Sequence, residues 1–145
     1  MKRTINAFSA CLSLFISMGL SAAPAMPLSQ VEILKVASTS GAVEDVSDGR
    51  EQTKAHHRGP HIKVFVLERG YGREPTATFD GQAVDGVRTP VCNKGAGMVT
   101  CDGAGTTVGY LYTFDLGNKE DGWFQFSNTS LVPPYTRLQT QLYIR

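Results

Sequence analysis

Residues 61 to 69 read HIKVFVLER, and this stretch decides the fold class. In an extended chain successive side chains point to opposite sides, so Ile62, Val64 and Val66 share one face while Phe65 and Leu67 share the other. Ile62, Val64 and Val66 are also β-branched, which suits a pleated, buried surface. The stretch predicts a strand with apolar residues on both faces.

The same rhythm recurs on either side. In QVEILKVAST (30–39), Val31, Ile33 and Lys35 fall on one face and Glu32, Leu34 and Val36 on the other, which predicts a central strand. The polar run STSGAVEDVSDGREQTKAHHRGP (38–60) then reads as a long loop, with a helical turn in AVEDV. PTATFDG (75–81) is a short strand ending in a turn, and QAVDGVRTPVC (82–92) carries turn signals at Asp85–Gly86 and Pro90. In TTVGYLYTFDLG (106–117), Val108, Tyr110, Tyr112 and Phe114 alternate with Gly109, Leu111 and Thr113. GWFQFSNTS (122–130) follows a turn at 118–122, so the two aromatic strands are expected to pair as a hairpin. The closing TRLQTQLYIR (136–145) sets Leu138, Thr140, Leu142 and Ile144 against Arg137, Gln139, Gln141 and Tyr143. About seven or eight short strands without an amphipathic helix predict an all-β fold, a single antiparallel β-sandwich, with a closed β-barrel as the alternative.

The first residues set a different expectation. MKRTINAFSACLSLFISMGLSAAPAM joins a basic tip, Lys2 and Arg3, to an apolar run and then to small residues, with Ala23 and Ala25 placed for cleavage before Met26. This is the pattern of a secretory signal peptide over residues 1–25, leaving one secreted β domain over 26–145. The run is too short for a confident membrane span, so no membrane insertion is expected after cleavage and the product is expected to be secreted or periplasmic. Removing Lys2 and Arg3 takes the formal charge from +1 to −1, and a near-neutral domain offers no basic patch for nucleic acid. Cys11 leaves with the signal, so Cys92 and Cys101 remain, and an even count in an exported chain predicts a disulfide. For so short a loop, chain entropy gives about 2–3 kcal/mol.

Candidate chemistry is sparse. His56, His57 and His61, the three histidines, gather in HHRGPH. A turn at Arg58–Gly59–Pro60 could bring two or three imidazoles around Zn or Cu. Yet adjacent residues of an extended chain diverge, and Arg58 is an unfavourable neighbour for a cation. The expectation is therefore no cofactor, Zn or Cu at this loop being the alternative. KGAGMVTCDGAG lacks the third glycine and the helix of a phosphate loop and reads as turns of a disulfide-tied hairpin, and GYGRE (70–74) reads as a turn. Glu32, Glu68 and Asp115 lie in or beside strands, and Glu44, Asp45, Asp48 and Glu51 crowd one loop without a calcium-binding pattern. Nothing pairs two of these carboxylates as a glycosidase requires. Asn128–Thr129–Ser130 matches a glycosylation sequon, of use only in a eukaryotic secretory route.

Aromatic residues carry the functional expectation. Tyr110, Tyr112, Trp123, Phe124, Phe126, Tyr135 and Tyr143 fill the C-terminal third, and strands that point rings to both faces cannot bury them all in one core. Exposed Tyr and Trp make flat apolar surfaces edged with hydrogen-bond donors. Trp123, Tyr135, Tyr110 and Tyr112 are the candidate binding residues. Taken together, VEILKVASTSG, VFVLERGYGR, the TPVC-to-Cys101 loop and the closing LYIR resemble the YolA-like family of small secreted bacterial proteins, a domain of unknown function. The resemblance implies an exported single domain and supplies no catalytic residue.

The resulting expectation is a secreted binding module for a polysaccharide, a cell-envelope component or an exported protein. The alternatives are a hydrolase or metal-dependent enzyme using the His56–His61 loop, or a small interbacterial toxin or inhibitor.

Overall fold

A computed structural model describes residues 24–145 apart from Ala96 and Ala104. Nearly all of the expected signal peptide, with Cys11, lies outside the described residues. The strands are β1 (Gln30–Ser38), β2 (Val43–Asp45), β3 (Ile62–Arg69), β4 (Thr76–Phe79), β5 (Gln82–Ala83), β6 (Gly86–Lys94), β7 (Gly97–Thr100), β8 (Thr107–Asp115), β9 (Gly122–Thr129) and β10 (Arg137–Ile144). They form two antiparallel sheets, in the orders β2-β1-β3-β8-β6-β7 and β10-β9-β4-β5. The fold is the expected all-β sandwich, and no helix occurs among the described residues. The strands beyond the expected number are β2, β5 and β7, each too short to display a period.

The core lies between the sheets. Ile62, Val64 and Val66 of β3 are fully buried, as their alternation predicts, against Phe124, Phe126, Leu142 and Ile144 of the facing sheet. Ile33 and Val36 of β1 also point inward, although they differ in parity. A bulge between Ile33 and Lys35 inserts one residue, so the strict alternation expected for this strand fails.

Three other expectations are corrected. AVEDV is not helical: Gly41 at φ 90° turns the chain, and Val43–Asp45 pair with Ala37, Val36 and Lys35 on the open edge of β1. Pro90 is not in a turn but within β6, opposite Tyr110 of β8, and on its other side its carbonyl accepts from the N–H of Cys101, just past β7 (3.0 Å). Most consequentially, β8 and β9 do not form a hairpin. β8 pairs with β3 and β6, while β9 pairs with β10 and β4 in the other sheet. Their aromatic residues meet across the core instead, with Tyr112–Phe126 and Phe114–Phe124 ring centroids 5.2 and 5.3 Å apart.

The polar run after β2 straps the free edge of β10. Thr53 N–H donates to Tyr143 O (3.0 Å), Tyr143 N–H donates to Glu51 O (2.9 Å), and His57 N–H donates to Arg145 O. An otherwise bare edge strand is thereby covered.

Candidate functional site

β9 and β10 turn alternate side chains toward the core, and the remaining ones lie in register on the outer face, exposed or half-buried except Ser127, which is buried. Phe124 and Phe126 point inward, so Trp123, Gln125 and Ser127 point outward. Leu142 and Ile144 point inward, so Tyr143, Gln141, Gln139 and Arg137 point outward. Tyr143 stands opposite Trp123, Gln141 opposite Gln125, and Gln139 opposite Ser127, while Thr78 and Thr76 of β4 continue the second and third rows.

This outer face has a definite chemistry. The Trp123 ring, on a residue 39% exposed, meets the ring of Tyr143 edge-on at 5.4 Å. Asp80 pins this end, since Trp123 N–H donates to its Oδ1 (2.8 Å) and Asp80 N–H donates to Trp123 O (2.9 Å). Beyond the rings runs a groove of about 410 Å³ lined by Thr76, Thr78, Gln125, Ser127, Gln139 and Gln141, with Arg137 at its far end. Gln125 Nε2 donates to Gln141 Oε1 (3.4 Å), and Arg137 Nη2 donates to Ser127 Oγ (2.8 Å). None of these side chains is acidic. An aromatic platform leading into a row of amides and hydroxyls can stack on a flat apolar ring face and hydrogen-bond its polar edge.

The four candidate binding residues do not form one strip. Trp123 belongs to this face. Tyr112 is a correction: it is 3% exposed and lies in the core between Phe114 and Phe126. Burial, and then the negative charge of Glu68, push its hydroxyl up to about 12. Tyr110 is half-buried on the same inward face, with Arg88 4.4 Å from its ring centre and Tyr71 edge-on at 6.0 Å. Tyr135 is exposed on the loop after β9, at φ 56°, with Arg73 over its ring at 5.4 Å. Trp123 is the second residue of β9 and Tyr135 follows its end, so roughly 20 Å of strand separates them. Sequence reasoning missed Tyr143 and the polar rows, although their signal was present as the parity opposite to the buried residues.

The GYG turn at 70–72 is anchored by a buried carboxylate. Glu68 has the parity of Ile62, Val64 and Val66 and is fully buried. Its Oε2 accepts from Asn128 Nδ2 (2.6 Å) and its Oε1 from Gly72 N–H (3.1 Å), while Asn128 Oδ1 accepts from the N–H groups of Glu74 (3.0 Å) and Thr129 (2.8 Å). Burial raises the Glu68 carboxyl, and these donors offset it only in part. A Cβ at Gly72 would overlap the Asn128 amide. The sequon asparagine is therefore an interior hydrogen-bonding residue.

The histidines of HHRGPH are placed on separate partners. His61 Nδ1 is 2.9 Å from Asp115 Oδ2, and His56 Nε2 is 3.3 Å from Arg145 Nη2. His57 is fully buried, with Nε2 3.5 Å from Glu44 Oε2 and neither ring nitrogen hydrogen-bonded. Among the described residues no group of three His, Cys, Asp or Glu side chains stands ready for a metal ion. Glu44 is occupied instead: burial raises its carboxyl, but Lys54 and Ala55 N–H (2.7 and 2.9 Å), His57 and Arg50 (2.7 Å) more than reverse this. Arg50 also holds Asp48, lowering it to about 2. Asp115 is lowered by Gly117 N–H and, after an opposing contribution from burial, by His61.

Cys92 and Cys101 form the expected disulfide, with Cα atoms 5.1 Å apart. Between the β6–β7 hairpin it staples and the segment before β1 lies a larger hollow, about 590 Å³, lined by Met26, Pro27, Met98, Val108 and glycines, with Arg69 the only charged side chain among the described residues that line it. It presents no aromatic face.

No curated protein and no solved structure matches the chain. A family model does match, over residues 23–144, and on that match the chain belongs to the family described as Domain of unknown function (DUF4879).

Proposed function

We propose that this domain, exported and freed of residues 1–25, is a binding module for a polysaccharide, and that its binding surface is the outer face of the β10-β9-β4-β5 sheet. The observation that carries the reading is the ring pair of exposed Trp123 and half-buried Tyr143 opening onto a groove of uncharged amides and hydroxyls. Sugar rings have apolar faces edged with hydroxyls, and rigid aromatic side chains bind such faces at low entropic cost. The finer YolA-like grouping stands with this proposal, since an exported module of unknown ligand agrees with it.

Insoluble and soluble polysaccharides provide the test. The purified chain is expected to co-sediment with, or be retarded by, at least one of them, and Trp123→Ala to weaken that binding roughly tenfold or more without changing the melting temperature appreciably. Binding unaffected by Trp123→Ala and lost on Tyr135→Ala would move the site to the opposite end of the sandwich.

A further inference from the structure

Resting on that reading of the sheet face, we propose that the glycan is acidic: a chain several rings long, with one ring stacked on Trp123 and Tyr143 and a carboxylate further along held by Arg137. Arg137 opens β10 opposite Thr129, six residues along β9 from Trp123, which is roughly 20 Å. Its bond to Ser127 Oγ (2.8 Å) turns the guanidinium back over the groove.

Among the described arginines, Arg137 and Arg69 have neither a carboxylate nor an aromatic or imidazole ring as counterpart, and of these two only Arg137 borders the groove beside the ring pair, Arg69 lying in the hollow by Met98. Arg50 binds Glu44 and Asp48, Arg58 faces Glu120, and Lys94 binds Asp102. Arg73 and Arg88 lie over tyrosine rings. Among the described residues no carboxylate pairs with Arg137 and no ring lies under it. Its remaining N–H donors border a groove otherwise lined by neutral side chains, and the planar fork of a guanidinium matches a carboxylate with two parallel hydrogen bonds. One fixed cation in a neutral groove selects a ligand that carries an anionic group at that register and a neutral ring at the other end.

Matched oligosaccharide pairs test this. The purified chain is titrated calorimetrically with hexagalacturonate and its carboxyl-reduced counterpart, and with cellohexaose and its C6-oxidised counterpart. In at least one pair the uronate form is expected to bind about fivefold more tightly at low salt, an advantage that shrinks at about 0.5 M salt as the charges are screened. Arg137→Gln should bring the ratio within that pair to about one, Arg137→Lys should keep part of it, and Trp123→Ala should weaken both members. Equal affinities within each pair, or a uronate advantage that survives Arg137→Gln, would overturn the acidic site while leaving the sheet-face reading standing, provided Trp123→Ala still weakens both. No binding of any of the four would overturn the acidic site, and indifference of the binding to Trp123→Ala would overturn both.

Discussion

Glu68 shows how far a single residue can depart from its alternation. Its position in HIKVFVLER is a core position, and the chain places a carboxylate there because the GYG turn needs an acceptor for Gly72 N–H and a partner for Asn128. Burial raises its folded pKa above the ordinary 4.5, so the native state keeps the proton where the unfolded chain has lost it. The contribution of Glu68 to stability relative to Glu68→Gln is therefore greatest at and below pH about 4.5 and declines as pH rises through the folded value. Denaturant melts of the two proteins from pH 4 to pH 8 check this, and a difference that grows with pH would contradict it. Removing the partner, Asn128→Ala, should cost about 2–3 kcal/mol, because a buried acceptor loses its donor. His57 behaves in the opposite way. Its imidazole is buried with no hydrogen bond and only a 3.5 Å approach of Nε2 to Glu44 Oε2, so His57→Leu should fall within about 1 kcal/mol of wild type or above it; a loss above about 3 kcal/mol in the same melts would show that the fold depends on the Glu44 contact. Alternation identifies Trp123 as an outward residue once Phe124 and Phe126 are inward. It cannot separate Tyr110 from Tyr112, which share a face and differ only in how much of the facing sheet covers them.

At the scale of elements, strands whose apolar residues keep a strict period were legible. β3 and β10 are found where their alternation puts them. The β8–β9 pairing was not, because two consecutive aromatic strands look alike whether they share a ladder or face each other across a core. β2 was missed because its strand character comes from the open edge of β1 and not from its own residues. The strap and β10 hold each other through the backbone bonds of Glu51, Thr53 and His57. Deleting residues 141–145 removes Leu142 and Ile144, both essentially fully buried, and every strap contact with Tyr143 and Arg145. Two such side chains account for about 2–5 kcal/mol each, against a total stability of about 5–15 kcal/mol. The truncated chain should lose its cooperative thermal transition, and a melting curve like that of the intact chain would contradict this assignment of the C-terminal strand.

For the whole molecule, the proposed function divides the sandwich into a scaffold and a presenting face. The interior, with its aromatic contacts across the sheets and its buried Glu68–Asn128 pair, fixes the scaffold, and the outer face of the smaller sheet is left to present Trp123, Tyr143 and the polar rows. The most direct measurement is an NMR titration of the isotope-labelled chain with a bound polysaccharide fragment. The account predicts that the largest shifts occur at the Trp123 indole N–H and at the side-chain amides of Gln125, Gln139 and Gln141, with Tyr71, Tyr110 and Tyr135 undisturbed. Shifts concentrated at those three tyrosines, with the Trp123 indole unmoved, would contradict it.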